Sequence, residues 1–154
     1  MLCIGDKIMD IDNIFSSLIK EIGYQNNKTV VINKVVMNSK EVEKNNLFVA
    51  IRGGNAYANE ALEKGAFVIY DDNTINLNSN PNSFLVDDSV KFMQKLAHQW
   101  RNTLNIKIIG ITGSNGKTTV KDMVFQLLST KYKGKKTEGN YNNHIGLPFT
   151  LLRS

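Results

Sequence analysis

Cysteine is almost absent from this chain. Cys3 stands alone among 154 residues, so no internal disulfide and no cysteine cluster around a metal can form, which fits a reducing compartment. Long apolar runs are missing too, since no hydrophobic stretch approaches the ~18 residues of a membrane-spanning helix. The opening M-L-C-I-G-D-K-I-M-D has no basic segment ahead of an apolar one and carries Asp6 and Asp10 early, so the expectation is a cytoplasmic protein without a secretory leader. Acidic residues are outnumbered: 14 Asp and Glu against 19 Lys and Arg give a formal charge of +5 and a pI near 9.3. That excess suits anionic ligands, but a mixed charged surface is the simpler account, and no recognition-helix or aromatic ribonucleoprotein signature marks a nucleic-acid binder. A chain of this length buries one good core or two small ones.

What is present is concentrated between Lys107 and Thr119, K-I-I-G-I-T-G-S-N-G-K-T-T. Ile108, Ile109 and Ile111 make a short β-branched run suited to a buried parallel strand. Gly113 and Gly116 then let the backbone turn its amides inward. A helix starting near Gly116 adds its positive end, so strand, loop and helix together describe an anion cradle. In such a cradle the amides of Gly113, Ser114, Asn115, Gly116, Lys117, Thr118 and Thr119 face phosphates, Lys117 neutralises β- and γ-phosphate charge, and Thr118 ligates Mg²⁺. The spacing is tighter than in the common phosphate loop, whose two glycines are separated by four residues. The position that would then need glycine holds Ile111, and Gly110 stands one residue early. A Gly/Ser/Asn turn before an ordinary helix uses the same residue types, but here the strand, glycines, Lys-Thr pair and amphipathic helix follow the order of the motif.

The run G-I-T-G-S-N-G-K-T-T resembles the ATP loop of the Mur ligase family. T-E-G-N-Y-N-N-H-I-G-L-P-F-T-L-L, Thr137 to Leu152, resembles the segment that follows it in the member adding D-alanyl-D-alanine, and V-D-D-S and N-N-L-F-V-A-I-R-G are similar to further family features. The resemblance implies an α/β fold in two parts. Residues 1–104 would be an N-terminal substrate domain with a small sheet flanked by helices, and 105–154 the first strand, loop and helix of a P-loop ATP-binding domain, truncated, because the family is ordinarily three-domain and much longer. It implies a parent enzyme, an ATP-dependent ligase joining UDP-MurNAc-tripeptide to D-Ala-D-Ala through an acyl phosphate in peptidoglycan synthesis. Lys117 and Thr118 would be catalytic, Gly113 to Thr119 would bind ATP, and Thr118 would hold Mg²⁺. Asn140, Asn142, Asn143 and His144 would contact substrate. So would Ser39, which stands where the family has Asp-Ser-Arg; here Asn38 and Lys40 replace the carboxylate and the forked guanidinium. Another Mur ligase or a folylpolyglutamate-type enzyme shares the loop, and a catalytically inert nucleotide- or partner-binding module is the competing class. Residues 1–154 alone are expected to be inactive, because the family's later acidic Mg²⁺ ligand, adenine-contacting region and third domain are not among them.

Elsewhere the chain reads as structure. Ile11, Ile14, Phe15, Leu18, Ile19 and Ile22 recur at helical spacing up to Gly23. Thr29 to Met37 and Leu47 to Ile51 read as strands, the second closed by a compressed turn in which Gly53, Gly54, Asn55 and Tyr57 are weaker substrate candidates. Asn59 to Gly65 predicts a short helix, Ala66 to Tyr70 and Ser83 to Val86 two more strands, and Asp71 to Ser83 an Asn-rich connection. Asp87-Asp88-Ser89 suits the cap of a helix whose Phe92, Met93, Leu96, Ala97, Trp100 and Leu104 share one face; Mg²⁺ binding or acid/base work by the paired carboxylates is the alternative. His98 falls opposite that face. On the helix after the phosphate loop, Val120, Met123, Val124, Leu127 and Leu128 are expected to be buried, with Lys121 and Asp122 outward. Lys131 to Lys136 reads as a solvated basic turn.

Overall fold

The computed structural model describes residues 2–6, 11–25, 29–137 and 143–153, with side chains from residue 11 onward. In chain order the elements are β1 (Leu2–Asp6), α1 (Ile11–Glu21), β2 (Lys34–Val36), β3 (Asn46–Val49), α2 (Ala58–Glu63), β4 (Phe67–Tyr70), β5 (Ser83–Leu85), α3 (Ser89–Thr103), β6 (Asn105–Ile109), α4 (Lys117–Ser129), β7 (Gly134–Lys136) and α5 (Gly146–Leu152). They group into two compact units, Asp10–Leu96 and Ala97–Ser154 together with Met1–Met9.

The unit Asp10–Leu96 is built on a parallel sheet in the order β2-β3-β4-β5, registered by Val36↔Phe48, Phe48↔Val68 and Ile69↔Phe84. All residues of β3 and β4 are buried, as parallel strands covered on both faces must be, which explains why they read as unbroken apolar runs. On one side Phe15 of α1 is fully buried among Phe67, Phe84 and Phe92, with ring centroids 6.3, 5.5 and 6.1 Å away. On the other, Ala58, Ala61 and Leu62 of α2 share a core with Val36, Phe48, Val68 and Tyr70. The Tyr24 hydroxyl accepts a hydrogen bond from the Leu85 amide at 2.7 Å, securing β5.

The strand expected over Thr29 to Met37 contracts to Lys34–Val36. Upstream of it the backbone donors go elsewhere: Ile32 N–H to the Asp12 carboxylate at 2.8 Å and Asn33 N–H to the Asn45 carbonyl at 2.9 Å. Before α3, Asp88 Oδ1 accepts from the Lys91 amide at 2.9 Å, so this carboxylate serves as the helix cap.

The other unit has a three-stranded sheet, β6-β1-β7, in which β1 pairs antiparallel with both neighbours. The expectation of a buried parallel strand at Ile108 to Ile111 is corrected: β6 ends at Ile109, its isoleucines are half-buried, and its partner is β1. A β-branched run favours a pleated surface without specifying the neighbour or its direction. Lys131 to Lys136 is not all turn either, since Gly134–Lys136 forms β7. The apolar stripe of α4 is also corrected. Val120, Met123 and Leu127 are exposed, Leu127 to 74%, while Lys121 is buried, with 8% of its surface exposed. Strand pairing therefore places β1 and the end of α3 in the unit that carries 105–154. Among the described residues, no helix is long and apolar enough to cross a membrane.

Candidate functional site

Ile111 to Gly116 runs from the end of β6 to α4, and its residues from Thr112 on are exposed. Gly113 has φ +148° and Gly116 φ +75°, values that L side chains resist, and a Cβ at Gly116 would meet nothing within 4 Å. The loop is therefore shaped by backbone freedom with open space beside it. Gly116 precedes the first residue of α4 with no side-chain cap, and its carbonyl accepts from the Val120 amide at 2.9 Å. Uncapped first-turn amides and the helix dipole leave a site suited to negative charge.

Lys117, the first residue of α4, folds back over the loop. Its ammonium donates to the Gly113 carbonyl at 2.5 Å and the Ser114 carbonyl at 3.3 Å. The cation is thus held beside the glycine turn by acceptors weaker than a phosphate oxygen, which an anion could displace. Gly113, Ser114 and Lys117 are drawn together by these bonds; Asn115 lies between them in the exposed turn, and Thr118 and Thr119 are exposed in the first turn of α4.

The other candidates lie apart in role. Ser39 opens a short 3-10 turn, Ser39–Glu41, three residues beyond β2, and Asn38 Oδ1 accepts from the Lys40 amide at 3.1 Å. The Ser39 carbonyl accepts from Lys64 Nζ at 3.4 Å. Asn143 Oδ1 accepts from the amides of Ile145 and Gly146 at 3.1 and 2.8 Å, so it supports the entry to α5. His144 is exposed. Asn140 and Asn142 lie outside the described residues. Among the described residues no group of three His, Cys, Asp or Glu could hold a metal ion.

Comparison with known proteins gives this geometry its context. Residues 111–154 match the model of the Mur ligase middle domain. The UDP-N-acetylmuramoyl-tripeptide--D-alanyl-D-alanine ligase of Bacillus subtilis (strain 168) is 42% identical over 127 residues, which are 79% of this chain and 28% of that protein. The chain belongs to the Mur ligase family. The same ligase from Rickettsia prowazekii (strain Madrid E) is 35% identical, over 84% of this chain and 30% of its own length. Among solved structures, the MurF ligase of Thermotoga maritima in complex with ADP is 36% identical and superposes with a TM-score of 0.68, covering 82% of this chain and 30% of that one. This Mur ligase chain thus spans roughly 30% of the length of the relatives it matches.

Three features of the Mur ligase chain escaped sequence reasoning. The buried Lys121 ammonium donates to the Thr137 carbonyl at 2.7 Å, and neighbouring Asp122 accepts from Lys136 at 2.6 Å. Lys136 beside it, aided by the charge of Lys121, holds the Asp122 carboxyl below the usual aspartate range. Asp71 bridges two elements, accepting from Asn55 Nδ2 at 2.8 Å and the Ser89 amide at 3.0 Å. Arg52 adopts a positive φ. The signal for Lys121 was its position four residues after Lys117, on the same helix face; burial then needed β7, which no periodicity announces.

Proposed function

We propose that this chain is the N-terminal part of a MurF-type ligase, an enzyme that joins UDP-MurNAc-tripeptide to D-Ala-D-Ala with consumption of ATP in cytoplasmic peptidoglycan synthesis. The observation that carries the proposal is the Gly113 to Thr119 turn, with Lys117 folded over it and open space at Gly116, in a chain whose relatives bear that ligase name. The domain division proposed is 1–104 for the substrate and 105–154 for the opening of the ATP domain, with β1 completing the sheet of the latter.

In this reading ATP and Mg²⁺ supply a transferable γ-phosphoryl group and its charge neutralisation. The chain's own residues bind and orient. The amides from Gly113 to Thr119 would hold phosphate oxygens, Lys117 would leave its carbonyl acceptors to meet the β- and γ-phosphates, and Thr118 would offer its hydroxyl to Mg²⁺. Bound ATP would supply the γ-phosphoryl group that activates the peptide carboxylate, with ADP as leaving group, so that the amine of D-Ala-D-Ala could displace phosphate and lose a proton as the amide forms. Such a transfer needs preorganised cations and amides rather than a protein nucleophile. Ser39, Asn140, Asn142, Asn143 and His144 are assigned to the substrate side. Residues 1–154 by themselves are proposed to bind ligand without turnover.

Calorimetric titration with ATP and Mg²⁺ tests the reading. Lys117→Ala should weaken binding on the order of tenfold or more, the worth of a hydrogen bond to a charged group, while circular dichroism stays unchanged. No binding by the folded wild-type chain would sink the nucleotide assignment for these residues.

A further inference from the structure

Burying an ammonium group is costly unless hydrogen bonds replace its water. Lys121, on the second turn of α4, is buried all the same. The Asp122 carboxylate lies 3.8 Å from its Nζ, but Lys136 holds that carboxylate more closely, at 2.6 Å. Lys121 gives its short bond to a backbone carbonyl instead, that of Thr137, at 2.7 Å. A methionine or leucine fills such a position at less cost. What the lysine adds is direction, since it fixes one carbonyl against one turn of helix.

The carbonyl it fixes stands at a junction. Thr137 is itself buried and directly follows β7. On the strand side, Lys136 pairs with Leu2 of β1, bonds Asp122 and lies over the Phe125 ring at 5.2 Å, so β7 and the residue after it are tied to adjacent positions of α4. On the other side the chain runs on to Asn143 and His144, where Asn143 accepts from the amides at the entry to α5. α5 is tied back to β7, because Lys135 donates to the Arg153 carbonyl. Both ends of the run from Thr137 to His144 are thus anchored within one unit.

Lys121 also stands one turn after Lys117, on the same face of α4. Each ammonium holds backbone carbonyls, Lys117 those of Gly113 and Ser114 and Lys121 that of Thr137. The first bonds are exposed and yield to an anion, whereas the second is buried and persists. A single helical turn joins the two, closed by the hydrogen bond from the Val120 amide to the Gly116 carbonyl at 2.9 Å.

We propose that Lys121 is a positioning residue that joins the phosphate loop to the run from Thr137 to His144, so that an anion drawing Lys117 from its carbonyls is felt at Thr137 and beyond. The inference rests on the nucleotide reading above and adds the residue through which the loop and the substrate-side residues act together. Being buried, Lys121 acts through Thr137 and not on a ligand directly.

Amide NMR of the full chain titrated with ATP and Mg²⁺ tests this coupling. In the wild type, the resonances of Thr137, Asn143 and His144 should shift together with those of Gly113 to Thr119. In Lys121→Met the loop resonances should still shift, with affinity within about threefold of wild type, while the shifts at Thr137, Asn143 and His144 vanish. Lys121→Gln, neutral and shorter, should do the same and replaces the methionine variant if circular dichroism shows that one unfolded. Lys121→Arg keeps a cationic donor and should restore the response. Asp122→Asn weakens the same contact between α4 and β7 but spares the Lys121 bond, so it should respond like the wild type. Equal loss in Asp122→Asn and Lys121→Met would overturn the inference and make Lys121 a packing residue. Shifts retained without Lys121, or wild-type shifts confined to the loop, would overturn it too and leave the nucleotide reading standing. A folded wild type whose loop resonances do not respond overturns the nucleotide reading and this inference with it.

Discussion

Helices α1 and α4 carry apolar residues at the same spacing and meet opposite ends. α1 is sealed: Ile11, Ile14, Phe15, Leu18 and Ile19 are all buried, and Phe15 sits within 6.3 Å of three other rings. α4 leaves Val120, Met123 and Leu127 exposed and buries a lysine instead. The amphipathic pattern therefore specifies a face and not its partner. α1 has its sheet within Asp10–Leu96, so the pattern is satisfied locally. The sheet beside α4 is three short strands, and the residue just past β7, Thr137, supplies a carbonyl, an acceptor for a cation rather than a cover for leucines.

The contrast can be broken by three substitutions. Phe15→Ala should cost the most, about 3–5 kcal/mol for an aromatic removed from a closed core, read from urea denaturation by circular dichroism. A loss under about 1 kcal/mol would mean that the core around α1 is looser than its geometry. Lys121→Met should cost less, about 1–3 kcal/mol, because it removes the buried hydrogen bond from Lys121 to the Thr137 carbonyl. The effect should appear as faster amide exchange in Gly134–Lys136, with the strands of Asp10–Leu96 unaffected; uniform acceleration in both units would contradict it. Leu127→Ala should change stability by no more than about 0.5 kcal/mol, as surface substitutions do. If it proves as costly as Phe15→Ala, the α4 stripe is covered in solution and the two helices are alike after all.

Legibility followed the same divide. The strands of the parallel sheet were readable, β2 only as part of a longer expected run, and β3 and β4 most clearly, because strands buried on both faces announce themselves as apolar runs. The α3 face and its Asp88 cap were readable from spacing and residue type. Near the candidate site, the glycine turn of Gly113 and Gly116 and the helix start at Lys117 were legible because they rest on contiguous residues. Lys121 and the Asp71–Asn55 bridge were not, since each depends on a neighbour 16 residues away. The antiparallel pairing of β1 with β6 was also hidden, because Cys3 and Ile108 lie over a hundred residues apart and nothing local encodes their register.

By itself the sequence determined the α/β class, the order of strands and helices in Asp10–Leu96, and the glycine-lysine-threonine loop, all of which rest on interactions within a few residues. Tertiary structure alone decided which apolar faces found a partner, which lysine was buried, and that Arg52 would be held in a left-handed turn at the sheet edge. The physical reason is one of range. Backbone preference and periodicity are local, whereas burial, strain and the pairing of charges are settled by surfaces that folding brings together.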